Sequence, residues 1–400
     1  MDITSLRVIV VSGIYNGTQS KARKQSKCGM TSFNLWNTAL VVFAVGLIGV
    51  LLQTDFANPE EDAPADYAWI LDDDHDTVEV GDDDGPDDAF FGSIYDVLVQ
   101  DSIIHVLDGQ EKQLSATSFS GRRLAEIGSE GQGPDEFMRP RKLIQGNEGR
   151  LVVYDLLGSM KSFEFASASS EPLYKLHDTR DFLRSAWDIC RGGEDLFMYP
   201  ENQPGTIWTE GEGERHQLAY LPFSFDDKDG EIRYFGARPA FMNDVPEQFM
   251  YRASQGAIHC TANHHILAAH VLDNSIDIYD RSGQEVGTID FESLQPPTLE
   301  VARYDGRELA GVHLDSAYQV SSMVSLDDRH VLIQFTSYPE DFTEQHDDEP
   351  LKQHTYVIDV RTLEATLLGT THKTFHHVTD AHYVASANVP YPMIYIGSKQ

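Results

Sequence analysis

From residue 67 onward the chain shows almost no helical period. It is built from short apolar runs cut by turn residues at intervals of roughly 8–12 positions. SIIHVLD (102–108), RLVVYD (150–155), SIDIYD (275–280), HVLIQF (330–335), TYVIDV (355–360) and MIYI (393–396) are examples. Runs this short, rich in β-branched and aromatic residues, read as strands. They also recur as a unit: a run ends near an Asp, a turn follows, and a second run leads through a polar turn to a third. Asp108 and Asp155 hold the same place in IIHVLD and LVVYD, 47 positions apart (155 − 108). Further copies fit DLFMYPENQPGTIWTEGEGERHQLAYL, ILAAHVLDNSIDIYDRSGQEVGTIDF and a stretch from HVLIQF to TLEATLLG whose hairpin carries an acidic insertion. A unit of about 40–50 residues holding about four strands is the pattern of a β-propeller blade.

That period predicts six blades over residues 67–400. A ring must close or leave pairing edges open, so MIYI is expected to pair with a strand from YAWIL (67–71). The excess around 222–256, too long for one blade step, reads as an excursion between blades or a lid.

The stretch GSEGQGPDEFMRP (128–140) admits two readings. A phosphate cradle needs converging backbone N–H groups and a helix at once. Gly128, Gly131 and Gly133 do not match GxGxxG, Pro134 removes a donor, and the strand-like KLIQ follows. The other reading is a joint between blades, with glycines where φ is positive and Phe137 packed between sheets. The run IGSEGQGPDEFMRPRKLIQGNEGRLVVYD (127–155) resembles a motif of bacterial six-bladed β-propeller proteins related to NHL-repeat and TolB-like propellers. Gly128, Gly131, Gly133, Pro134, Glu136, Phe137 and Asp155 carry the likeness, and Asp135 stands where that family usually has glycine. Membership implies export or membrane attachment for many relatives, and no particular activity.

Residues 33–52, FNLWNTALVVFAVGLIGVLL, form a 20-residue run without a charge. That length spans about 30 Å as a helix, a bilayer core. Lys21, Arg23, Lys24 and Lys27 precede it and Asp55, Glu60, Glu61 and Asp62 follow. The positive-inside rule then predicts a cytoplasmic segment 1–32, a transmembrane signal anchor 33–52, an acidic tether 53–66 and a propeller outside the cytoplasmic membrane, facing the periplasm or cell exterior. A cleaved signal peptide is the alternative, with Met30 as a second candidate start.

Sixty-four Asp and Glu face 30 Lys and Arg, a formal charge of −34. Such a field repels phosphate backbones, which excludes nucleic acid. Screened by salt, it reads as halophilic adaptation. The acidic run LDDDHDTVEVGDDDGPDD (71–88) touches on a calcium loop in DDDG but lacks the bidentate Glu such a loop requires, so it reads as solvated surface.

Cys190 and Cys260 are compatible with one disulfide or with two buried thiols. No motif assigns a metal or a catalytic residue. His264, His270 and His376, from two histidine clusters, are the candidate ligands if a divalent ion such as Ca²⁺ is held at all; His264 and His270 would share one face of a strand. The sequence therefore predicts a non-catalytic binding or scaffolding propeller, its partner an envelope protein or small ligand. The rival is a metal-dependent, lactonase-like hydrolase or lyase with a channel-centred site.

Overall fold

The computed structural model describes residues 64–72, 77–81 and 91–399, apart from 157–158, 167–172, 182–184, 201–208, 211–213, 224–231, most of 238–252, 305–306, 315, 340–349 and 389–390. The chain divides after Asp62, and the second unit, Ala63–Gln400, is compact and holds all the described residues. The segment 1–32, the apolar run 33–52 and most of the tether 53–66 lie outside the described residues. Among the described residues no helix is long and apolar enough to cross a membrane.

The second unit is a six-bladed β-propeller. A short strand, β1 (Thr77–Val80), comes first. Blade 1 is β2 (Ile94–Gln100), β3 (Ile103–Asp108), β4 (Gln113–Ser118) and β5 (Arg123–Ile127). Blade 2 is β6 (Pro140–Gln145), β7 (Leu151–Asp155), β8 (Ser159–Ala166) and β9 (Leu173–Asp181). Blade 3 contains β10 (Ala186–Gly192), β11 (Asp195–Pro200), β12 (Thr209–Glu210), β13 (Glu214–Pro222) and β14 (Arg233–Ala237); β12 and β14 both pair with β13. Blade 4 is β15 (Gly256–Cys260), β16 (Ile266–His270), β17 (Ser275–Tyr279) and β18 (Glu285–Asp290). A separate hairpin, β19 (Thr298–Tyr304) and β20 (Arg307–His313), follows it. Blade 5 is β21 (Tyr318–Ser325), β22 (His330–Ser337), β23 (Lys352–Asp359) and β24 (Glu364–Thr371). Blade 6 is β25 (Thr374–Val378), β26 (His382–Ala387) and β27 (Met393–Ser398), with β1 as its fourth strand.

The first strand of each blade is innermost. β2, β6, β10, β15, β21 and β25 each touch the next, and β25 returns to β2. Both faces of a blade pack on neighbours, which is why second strands read as unbroken apolar runs rather than alternating ones. In β22 six consecutive residues, Val331–Thr336, are buried, whereas no residue of the outermost β24 is. Six apolar clusters fill the six gaps between blades. One joins Leu107, Leu114 and Phe137 to Val153 and Phe163 between blades 1 and 2, and another joins Ile104 and Val106 to Val384, Ile394 and Val80 across the closure.

Closure differs from the sequence expectation. YAWIL lies in a 3₁₀ helix, Pro64–Leu71, not in a strand. Its side chains wedge between blades 5 and 6, where Ile70 is 1% exposed and joins the cluster of Phe375 and Tyr383. The closing strand is TVEV, inside the acidic run, paired antiparallel with β27 from Thr77↔Gly397 to Val80↔Ile394. The excess at 222–256 also resolves differently: β14 falls within it and completes the sheet of blade 3. The true insertion among the described strands is the β19–β20 hairpin.

Candidate functional site

Innermost strands line the axis of a propeller, so what they aim inward decides what the channel can hold. Five of the six carry a register shift against their second strand: at Ile94/Asp96, Pro140/Lys142, Ala186/Asp188, Val320/Ser322 and Phe375/His377. An extra residue in one strand bends it and redirects a side chain. The five extra residues are Tyr95, Arg141, Trp187, Ser321 and His376, and every one lines a channel cavity.

Described residues wall two such cavities. One, of ≈ 530 Å³, is walled by all six innermost strands, with Asp96, Lys142, Arg191, His259, Ser322 and His376 among its polar groups. The other, of ≈ 460 Å³, is walled by Tyr95, Arg141, Trp187, Asp188, His270 and Gln319 among others. Tyr95, Lys142 and Ser321 belong to both.

Lys142 is the hub between them. Its Nζ lies 3.6 Å from Asp188 Oδ1, and a third of its side chain stays open to the channel. Burial by itself would lower its pKa, but Asp188 and Asp96 overcome that and hold it above the usual lysine value. Asp96 is pushed up by burial, against the pull of Lys142 and of the Leu143 N–H. Burial, with a smaller push from Lys142, drives His259 and His376 down to about 3, so both imidazoles are neutral at physiological pH. Each shares a hydrogen bond with a hydroxyl: His376 Nε2 with Ser386 Oγ at 2.7 Å, His259 Nε2 with Ser325 Oγ at 2.8 Å. His376 Nδ1 stands 3.9 Å from Asp96 Oδ1. A fixed cation, two carboxylates and neutral ring nitrogens around a cavity can orient a polar ligand. Among the described residues no three His, Cys, Asp or Glu side chains group so as to hold a metal ion.

Cys190 on β10 and Cys260 on β15 form a disulfide that joins the innermost strands of blades 3 and 4. Both cysteines line the larger cavity.

The residues singled out in the sequence fall in four places. The joint lies between blades 1 and 2, away from the channel. Phe137 is 1% exposed and packs edge-on to Phe163 at 6.0 Å between ring centroids. Gly128 has φ +123°, and a Cβ there would come within 2.5 Å of the Lys112 carbonyl. Glu136 Oε2 accepts the Gly133 N–H at 2.7 Å, and Glu136 N–H donates to the Gly133 carbonyl at 3.2 Å, closing a turn around Pro134. Gly131 N–H donates to the Phe137 carbonyl at 3.1 Å. The buried Lys161 donates to the carbonyls of Gly133 and Glu136. Asp155 Oδ2 accepts the N–H groups of Met138 and Arg139 at 2.8 and 2.9 Å, clamping the lead-in to β6. Asp108 does the same for Gly92 and Ser93 ahead of β2.

The three histidine candidates do not converge. His264 sits before β16 in a turn, at φ +72°, rather than in the strand beside His270. Hydrogen bonds from His264 N–H to the Thr261 carbonyl and from Thr261 N–H to the His265 carbonyl fix that turn. His270 is buried in the smaller cavity, where its Nδ1 accepts the Leu272 N–H at 3.0 Å, and His376 belongs to the larger. Sequence reasoning passed over Asp96, Lys142 and Asp188. Their signal was present as IYDV, PRKL and AWDI, in which the three residues recur every 46 positions (142 − 96 and 188 − 142).

The model of a family described as DUF5128, 6-bladed beta-propeller, matches residues 84–202. No curated protein matches the chain in sequence. Among solved structures, a protein of Bacteroides fragilis NCTC 9343 described as exported superposes with a TM-score of 0.50 at 12% identity, over 85% of this chain and 98% of that one. A streptogramin B lyase gives 0.41 at 12% identity over 83% and 99%. A DUF4221-family protein of Bacteroides vulgatus gives 0.49 at 9% over 81% and 96%. At these identities the likeness concerns the fold alone.

Proposed function

We propose that this protein is a non-catalytic binding propeller, displayed on the outer side of the cytoplasmic membrane, that takes a small polar ligand into its central channel. One observation carries the reading: five bulged residues from five blades converge on two cavities that share Lys142 in their walls. Partly buried charge costs stability unless something uses it, and a concave site with convergent polar groups is the usual place for a ligand. Export is supported by the apolar run 33–52 with its flanking charges and by the Cys190–Cys260 disulfide, a bond that persists in oxidising compartments.

The test is a thermal-shift screen of the full chain, in detergent, against a library of polar metabolites, beside an Ala257→Trp variant that fills the channel. Ala257 lies on the wall of the smaller cavity. Compounds that stabilise the native chain but not the folded variant support the reading. A library without such compounds sinks it.

A further inference from the structure

The smaller cavity has a sign. Its one described carboxylate, Asp188, is engaged on both oxygens: Oδ2 accepts the Ile258 N–H at 3.0 Å and Oδ1 faces Lys142 Nζ at 3.6 Å. Arg141 is not so engaged. No described carboxylate lies within ion-pair distance of its guanidinium, which sits instead 5.8 Å from the centroid of the Tyr95 ring. Asp96 feels the Arg141 charge from beyond ion-pair distance. In a chain with 64 acidic residues and 30 Lys plus Arg, a cation at the axis with no ion-pair partner among the described residues is conspicuous. Two further wall residues await a partner. Trp187 Nε1 is shielded from solvent and has no described hydrogen-bond acceptor. Tyr95 is 45% exposed, and its ring is backed by Gly109, where a Cβ would come within 2.2 Å of it.

We propose that this cavity binds a small ring-bearing carboxylic acid, its carboxylate taken by Arg141 and its ring by Tyr95 and Trp187. The proposal rests on the binding reading above and names the class of ligand. A guanidinium matches a carboxylate with two parallel N–H bonds. A buried indole N–H gains most from an acceptor when it has none. Tyr and Trp side chains offer flat apolar faces to a sugar or aromatic ring. The net charge of the chain does not oppose this. At 0.15 M salt the screening length is about 8 Å, so the nearest cations govern the site.

The experiment is calorimetric titration of the full chain, in detergent at fixed salt, with D-galacturonate and with benzoate. D-galactose and benzyl alcohol serve as the uncharged counterparts of the two acids. Arg141→Gln is compared with Arg123→Gln, a change on the outermost strand of blade 1. At least one acid should bind, about tenfold or more tightly than its uncharged counterpart, and Arg141→Gln alone should cost it about tenfold or more. Which acid binds separates a sugar source from an aromatic one. Equal binding of acid and counterpart, or an acid affinity indifferent to Arg141→Gln, overturns the ligand class and leaves channel binding intact. Failure of both acids also overturns the ligand class, and channel binding is then judged by the Ala257→Trp screen.

Discussion

Asp96 on the innermost strand of blade 1 accepts the main-chain N–H of Leu143 on the innermost strand of blade 2, Oδ2 to N, at 2.8 Å. Asp188 does the same to Ile258 from blade 3 to blade 4, at 3.0 Å. Channel carboxylates thus stitch one blade to the next, and the same groups hold Lys142 between them.

If stitching is what Asp96 contributes, the acceptor oxygen matters more than the charge. Asp96→Ala leaves the Leu143 N–H buried without a partner and should cost about 1–3 kcal/mol. Asp96→Asn keeps a carbonyl acceptor and removes a charge that burial disfavours, so it should cost less than half as much. Urea unfolding of the full chain measures both. Equal losses would show that the charge, not the acceptor, does the stitching.

Lys142→Met removes the cation that Asp96 and Asp188 share. Breaking a fully buried pair costs about 3–5 kcal/mol, but Lys142 is a third open to the channel, so about 1–3 kcal/mol is expected. The histidines report it independently. His259 and His376 should titrate above their present values of about 3, yet stay below 6.5, because burial is the larger cause of the shift. Imidazole chemical shifts followed by NMR would contradict this if they did not move.

Acid should destabilise the propeller well before its carboxylates protonate. Burial lowers His105 to about 4 and His259, His270 and His376 to about 3. Each is neutral in the folded chain and takes a proton below about pH 6.5 once unfolded. Their stabilising contribution is therefore complete above about 6.5 and is lost as pH falls toward 4, by up to about 1.4 kcal/mol per pH unit for each. Asp96, Asp273 and Asp277, raised by burial, work the other way, while His265, His354 and His377, lowered by burial, add to the loss. Unfolding free energies at constant ionic strength should drop between pH 7 and pH 5; a flat profile would count against buried neutral imidazoles.

The disulfide closes a loop across a sequence separation of 70. On the chain-entropy account, replacing both Cys190 and Cys260 by Ala should cost about 4 kcal/mol. Alkylation with mass spectrometry, read at the peptides of Cys190 and Cys260 and not at Cys28, checks the bond itself: neither of the two should label until reductant is added, and labelling of either in the unreduced protein would refute it.

The ring was legible because each second strand is buried on both faces and so leaves an unbroken apolar run, from IIHVLD to HVLIQF. The place of closure was not. Aromatic content made YAWIL look like a strand, although those side chains serve as a wedge between two blades, while TVEV was hidden among aspartates. The channel was obscured for a related reason. Its residues sit at bulges, where one extra residue breaks the alternation that marks a strand face, so nothing in the pattern set Asp96 and Lys142 apart. His264 was misassigned because the turn beginning at Thr261 continues to His265, past the first residues of the apolar segment. The asymmetry is physical: burial is written in composition, whereas convergence on an axis depends on register between blades.

The four residues of β1 carry a mechanical consequence. The first strand of the ring and the last lie side by side in one sheet, hydrogen-bonded through the ladder from Thr77↔Gly397 to Val80↔Ile394. Tension applied to the chain ahead of residue 77 reaches that ladder before any other strand pair. Stripping it would bare the main-chain edge of β27, and a bare edge recruits whatever strand comes next, including the same four residues of a neighbouring molecule. The seam that completes one ring is thus also the point at which two rings would exchange ends.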